Sequence, residues 1–135
     1  VARLQEIKSG KLKDLVKNNK LIVDGSHNEH GAQVLNEYLE TLDCTKHIIC
    51  SMMSNKDHEK FISYFKKISS LTVTEMSTQH NAIKGKDLLE KFKNIPNVYC
   101  KENIEQAIRS IPLKEGDLII VTGSLYFASE VLKLN

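Results

Sequence analysis

The sequence predicts an α/β fold in which a mostly parallel sheet is covered by helices on both faces, and two observations carry that reading. Hydrophobic periodicity switches repeatedly between short β-branched runs and stripes at helical spacing along the 135 residues, the pattern of strands alternating with helices. The apolar runs are also short and mostly uninterrupted, as in strands buried on both faces.

Taken from the N-terminus, Val1 to Ile7 read as an edge strand or a lead-in segment. Lys8 to Asn19 read as a polar connector with a helical turn at Lys11 to Val16. Five core strands are then expected, at Lys20 to Asp24, His47 to Met52, Leu71 to Met76, Asn97 to Cys100 and Asp117 to Gly123. Between them lie the helical stripes Ala32, Leu35, Leu39, Leu42, then Phe61, Ile62, Phe65, Ile68, then Leu88, Leu89, Phe92, and then Ile104, Ala107, Ile108, Ile111. A last helix follows Ser124. Asn28, Asn55, Asn103 and Ser124 each stand just before a helical stretch, where a side-chain oxygen can accept an orphan backbone N–H. No repeat, Pro/Ser-rich linker or low-complexity tract interrupts the chain, so residues 1–135 are expected to form one domain.

Composition narrows the function classes. With 41% hydrophobic and 27% charged residues the chain is of the ordinary globular kind, and at this length folding buries roughly two-thirds of the unfolded surface without needing a disulfide or structural metal. Nineteen Lys and Arg against seventeen Asp and Glu leave a formal charge of +2, too small and dispersed a surplus for a nucleic-acid surface. Apolar runs such as Leu118 to Val121 are strand length, far below the roughly 18 residues of a membrane span. Three widely spaced cysteines, Cys44, Cys50 and Cys100, read as reduced thiols, with Cys50 an inert core group, and point to the cytoplasm. The first residue is Val1 rather than Met, which suggests a piece of a longer polypeptide.

In an open parallel sheet, ligands bind beyond the carboxyl ends of the strands, where helix N-termini favour anions. Two strand ends fit. The first, Lys20 to Gly31, delivers Asp24, a flexible Gly25, and then His27 and Asn28 onto a helix start. A carboxylate there can accept both hydroxyls of a ribose, and an imidazole one turn on can reach a phosphate or reacting carboxyl group. Equally, Asp24 and Asn28 can serve only to cap a turn and a helix. The second, Leu118 to Tyr126, again runs strand, glycine, hydroxyl; Ser124 can donate to a carboxylate or phosphate, or be merely an N-cap. A single ligand meeting both motifs requires Asp24 and Gly123 to end neighbouring or near-neighbouring strands on the same edge. His27 and His30 lack a third ligand of matching spacing, so no metal site is expected. His47 and His58 are expected to face solvent or cap local structure, and Lys84 to Lys93 to be a solvated helix face. No phosphate loop or dinucleotide fingerprint is present in the sequence.

Asp24-Gly-Ser-His27-Asn28 resembles the Asp-Gly-Ala-His-Asn motif of folylpolyglutamate synthases and bifunctional dihydrofolate synthases, members of the Mur ligase superfamily. Val121-Thr-Gly-Ser-Leu-Tyr126 with Glu130-Val131 resembles the family's closing signature, and Ala2-Arg3-Leu4-Gln5 its Gly-Arg-Leu-Gln opening of the C-terminal domain. Met53-Ser-Asn-Lys56-Asp57 is similar to an internal Asp-Lys-Asp segment, with Asn55 in place of Asp, while Ser26 stands in place of Ala. The blocks keep their order across the whole chain.

The resemblance implies a Rossmann-like C-terminal domain with about six strands, working with an N-terminal ATPase domain that holds the phosphate loop and most Mg²⁺ ligands. The implied activity is ATP-dependent ligation of L-glutamate to folate, or to dihydropteroate, through an acyl phosphate, in a monomeric enzyme. By the same resemblance Arg3 closes onto the ATP phosphates, Asp24 holds the ribose, His27 sits by the reacting phosphate and incoming glutamate, and Ser124 holds the glutamate carboxylate. This domain alone is not expected to turn over. Two other readings stay open: a Mur-type ligase of cell-wall peptides, and a free-standing nucleotide-binding module.

Overall fold

The computed structural model describes residues 3–135, so Val1 and Ala2 of the expected edge strand and opening block lie outside the described residues. The elements in chain order are β1 (Gln5–Glu6), α1 (Lys11–Val16), β2 (Lys20–Val23), α2 (Glu29–Glu40), β3 (Lys46–Cys50), α3 (His58–Ser63), β4 (Ser70–Val73), α4 (Gly85–Lys91), β5 (Val98–Cys100), α5 (Ile104–Ser110), β6 (Leu118–Thr122) and α6 (Leu125–Leu134). Six strands form one sheet in the order β1-β2-β6-β3-β4-β5. Only β1 is antiparallel.

The period of two along each strand divides the core into two layers. Leu21, Val23, Ile49, Ile119 and Val121 pack on one face with α1, α5 and α6. Ile22, Ile48, Cys50, Leu118 and Ile120 pack on the other with α2, α3 and α4. Strands β2, β3 and β6 are therefore buried at nearly every position because each residue meets a helix layer whichever way it points. Burial also explains Cys50: the thiol, fully enclosed, is pushed up from its ordinary 9.0 to about 12 and stays neutral.

Several boundaries differ from expectation. The runs beyond β3 and β4 leave the ladder at Cys50 and Val73, although Ser51, Met52, Thr74 and Met76 remain buried. Burial outlasts pairing there, so apolar content overestimates strand length. Helix α3 stops at Ser63 in a tight turn, with Phe65 N bonded to Ile62 O, and Phe65 packs into the core from outside the helix. Asn55 is not its cap; Asp57 Oδ1 accepts from Lys60 N at 3.1 Å. The caps expected at Asn28, Asn103 and Ser124 all form. The exposed lysines of α4 bear out a solvated face over Lys84 to Lys93.

Neither His47 nor His58 faces solvent. His58 Nε2 donates to Met53 O at 2.9 Å, tying α3 to the preceding loop. His47, at the beginning of β3, donates from Nε2 to Asp117 Oδ2 at 3.1 Å, and its Nδ1 lies 2.7 Å from Ser70 Oγ. Since the carboxylate only accepts, Nε2 carries a proton, and in the neutral ring Nδ1 accepts a hydrogen bond from the Ser70 hydroxyl. This chain stitches the starts of β3 and β4 to the residue before β6.

Candidate functional site

The two polar motifs meet where expected. Strands β2 and β6 are parallel neighbours, with Val23 level with Val121, so Asp24 and Gly123 leave the sheet on the same edge. Their following helices depart to opposite faces, α2 into one core layer and α6 into the other. A crevice opens between strand ends that diverge in this way.

Backbone bonds lace the crevice floor: Asp24 N donates to Val121 O at 2.9 Å and Gly123 N to Ser26 O at 3.0 Å. Gly123 has φ +117°, and a Cβ there would meet the Cys50 sulfur at 2.8 Å and run into the Ser51 carbonyl. Only glycine lets the chain turn over β3 at this point. On the other side a Cβ at Gly31 would lie 2.9 Å from Ser26 Cβ, so the missing side chain lets residue 26 rest on the first turn of α2. Asn28 Oδ1 accepts from Gly31 N at 2.9 Å and completes that helix start.

A cleft of about 260 Å³ occupies the crevice, lined by Arg3, Ser26, His27, Asn28, His30 and Leu125. A second, of about 380 Å³, adjoins it through His27, Asn28 and His30 and reaches Asn55, Lys56 and Asp57 on the β3–α3 loop. His27 lines both. Its Nδ1 lies 3.2 Å from the Gly25 carbonyl, which can only accept, so Nδ1 carries the proton and the half-exposed ring keeps Nε2 for a ligand.

The other two expected site residues are buried beneath the cleft rather than lining it. Asp24 is 4% exposed; its Oδ2 accepts from Leu4 N at 3.0 Å and its Oδ1 from Ser26 N at 2.9 Å. Ser124 is 2% exposed, and its Oγ accepts from Tyr126 N at 3.1 Å, which leaves the hydroxyl hydrogen to donate elsewhere. Thus Arg3 and His27 share a surface, while Asp24 and Ser124 hold the two loops that shape it.

Sequence reasoning missed His30, Lys56 and Leu125 as lining residues, although Lys56 stood inside a segment already singled out. It also gave Glu130 no role. That carboxylate is buried and accepts from Thr78 N at 3.1 Å and Thr78 Oγ1 at 2.8 Å, so it anchors the β4–α4 loop to α6. Among the described residues no three His, Cys, Asp or Glu side chains gather as a metal-binding group, and no helix is long and apolar enough to cross a membrane.

The sequence pattern of the Mur ligase, glutamate ligase domain matches residues 6–125. The chain belongs to the Mur ligase glutamate ligase domain family. The dihydrofolate synthase/folylpolyglutamate synthase of Bacillus subtilis (strain 168) is 27% identical over 128 residues, spanning 92% of this chain and 30% of that protein. Mycobacterium tuberculosis folylpolyglutamate synthase, solved with ADP and AMPPCP, shares the fold with a TM-score of 0.80 at 20% identity, over 98% of this chain and 31% of that one. A bifunctional folylpolyglutamate synthase/dihydrofolate synthase, solved with Mn, AMPPNP and L-glutamate bound, gives 0.78 at 18% identity, over 98% of this chain and 30% of that one. The Mur ligase domain seen here thus spans about a third of the length of these relatives.

Proposed function

We propose that this Mur ligase domain is the C-terminal domain of a longer cytoplasmic, monomeric ligase that joins L-glutamate to folate, or to dihydropteroate, using ATP and Mg²⁺. The observation that carries the reading is the crevice between β2 and β6, where Arg3 and His27 line one cleft at the start of α2. Arg3 is a fixed cation suited to phosphate oxygens. The N-terminus of α2 adds partial positive charge. These residues fit the phosphate end of a nucleotide. They offer no acidic ligand set for Mg²⁺, whose ligands we assign mainly to an N-terminal ATPase domain.

In the proposed reaction a carboxylate oxygen of the pterin substrate attacks the γ-phosphorus of ATP, and ADP leaves. The glutamate amine then attacks the resulting acyl carbon, loses its proton and expels phosphate. Such chemistry needs charge stabilisation, orientation and exclusion of water more than a protein nucleophile. His27 Nε2 stands at the junction of the two clefts, where its lone pair can accept from the incoming glutamate amine beside the reacting phosphate. The free hydroxyl hydrogen of Ser124 supports a contact to the glutamate carboxylate. Asp24 belongs to the nucleotide side, and each of its oxygens keeps a lone pair beyond its backbone partner.

The test is ligation by the full-length polypeptide, followed as glutamate-dependent ADP release. Turnover with folate or dihydropteroate supports the reading; turnover only with cell-wall peptide acceptors assigns the domain to the other Mur ligases. Tight ATP binding by the 135-residue chain alone would favour a free-standing nucleotide module.

A further inference from the structure

We propose that Glu130 is a positioning residue for the glutamate substrate: buried on α6, it fixes the loop after β4, and through it the loop after β3 that carries Lys56 into the second cleft. The inference rests on the proposed reading in which the glutamate amine meets His27 where the two clefts join, and it goes beyond that reading by naming what sets the cation of the second cleft.

Helix α6 turns Phe127, Ala128 and Val131 into the core, and Glu130 is the one charged group it buries. A carboxylate taken out of water is costly unless donors surround it. Here the donors all come from one loop: Oε1 accepts from Thr78 N at 3.1 Å and from Thr78 Oγ1 at 2.8 Å, and Oε2 accepts from Ser77 N at 3.4 Å. Ser77 and Thr78 are exposed and belong to no helix or strand, so the anchor fixes a segment that has no ladder of its own. The end of the same loop is held by Glu75, whose Oε1 accepts from Gly85 N at 3.0 Å.

Beyond the sheet this loop is joined to the loop after β3. Ser54 N donates to Asn81 O at 2.8 Å and Ile83 N to Met52 O at 3.0 Å, around an antiparallel bridge of Met53 with Ala82. A ribbon this short is marginal in water, so its place depends on the anchor at Thr78. Directly after Ser54 come Asn55, Lys56 and Asp57, all lining the second cleft. Asp57 caps α3 and His58 donates to the Met53 carbonyl, so Lys56 is pinned between the ribbon and a helix start. It is half-buried and forms no ion pair among the described residues. Glutamate brings two carboxylates: the Ser124 hydroxyl supports a contact to one, and the Lys56 ammonium is the group of the second cleft suited to the other.

The test uses the full-length enzyme with Lys56→Ala, Glu130→Ala, Glu130→Gln and the double variant Lys56→Ala/Glu130→Ala. Loss of a charge-assisted contact predicts that Lys56→Ala raises the KM for glutamate about tenfold. Glu130→Ala should raise it about fivefold, with kcat and the KM for ATP within about twofold of wild type. Glu130→Gln should stay within about twofold throughout, because its one oxygen can still accept both Thr78 donors. The double variant should be no worse than Lys56→Ala within about twofold, since both changes remove one contact. Equal rises in the KM for glutamate and for ATP would make Glu130 a general scaffold residue and overturn the proposal. Multiplying effects in the double variant, or a Gln variant as damaged as the Ala variant, would overturn it in favour of a direct role for the Glu130 charge. A normal KM for glutamate in Lys56→Ala would overturn the assignment of Lys56, and with it this route for Glu130. A wild-type enzyme without glutamate-dependent ADP release would instead refute the underlying ligase reading. Should Glu130→Ala fail to fold, Thr78→Val removes one donor at the exposed end of the anchor. A rise of about threefold in the KM for glutamate alone supports the proposal, and wild-type values overturn it.

Discussion

At the end of the sheet where the strands begin, His47 has both ring nitrogens engaged inside the protein, by Asp117 and Ser70, and the neighbouring Lys46 ammonium donates to the Leu42 carbonyl at 2.7 Å. At the end where they finish, His27 uses Nδ1 on its own loop and turns the rest of the ring to a cleft shared with Arg3. Both ends carry histidine, carboxylate and hydroxyl groups, and a cleft of about 400 Å³ opens beside His47 and Ser70 as well. Residue types therefore do not separate them. What separates them is whether the groups satisfy one another: a closed network stabilises strands, and a network with capacity left over can bind.

That difference can be broken by mutation. The largest effect is expected from His27→Ala, which should lower kcat and kcat/KM for ligation together by about a hundredfold, as for loss of a group acting mainly as the acyl phosphate forms. Its melting temperature should stay close to wild type; a low-melting variant with intact turnover would make His27 structural. The opposite pattern is expected at the other end. Removing His47 leaves the buried Asp117 carboxylate short of a donor and should cost about 1–3 kcal/mol, read by denaturant unfolding, with turnover retained.

Cys50 sharpens the comparison, because it lies at the end of the sheet where the strands finish yet is sealed beneath the proposed site. Its thiol is raised to about 12 in the folded protein, so below pH 9 the folded and unfolded states hold the same proton. Above that the unfolded thiol ionises first, and this contribution falls by about 1.4 kcal/mol per pH unit. Stability curves of wild type and Cys50→Ala should run parallel below pH 9 and converge above it. Parallel curves throughout would mean that the sulfur is not sealed. The smallest effect is expected from Asn28→Ala, the cap of α2, at about 1 kcal/mol of stability with the KM for ATP little changed.

Much of this was legible in the sequence. Buried parallel strands produce unbroken apolar runs, and helices between them produce stripes, so the layer order followed from period alone. The motif blocks located the crevice, since Asp24 directly follows one apolar run and Gly123 follows another after Thr122. Less legible was which polar residue would be exposed. Asp24, His27 and Ser124 look alike as strand-end polar groups, but only the path of the backbone makes Leu4 and Tyr126 their partners. His47 was misread because nothing local announces Asp117, seventy residues away, as its partner. Asn55 lost the cap to Asp57 because the β3–α3 loop extends two residues further than the local pattern suggests, a shift within the ordinary uncertainty of helix ends.

The central claim is that ligand chemistry belongs to the end of the sheet with unsatisfied groups. The most direct measurement is kcat/KM for ATP in the full-length ligase carrying either Arg3→Ala or His47→Ala, assayed well below both melting transitions. The account predicts a loss of about tenfold or more for Arg3→Ala, the scale of one charge-assisted contact, and a value within about twofold of wild type for His47→Ala. An unchanged Arg3→Ala enzyme beside a crippled His47→Ala enzyme would place the chemistry at the opposite end and contradict it.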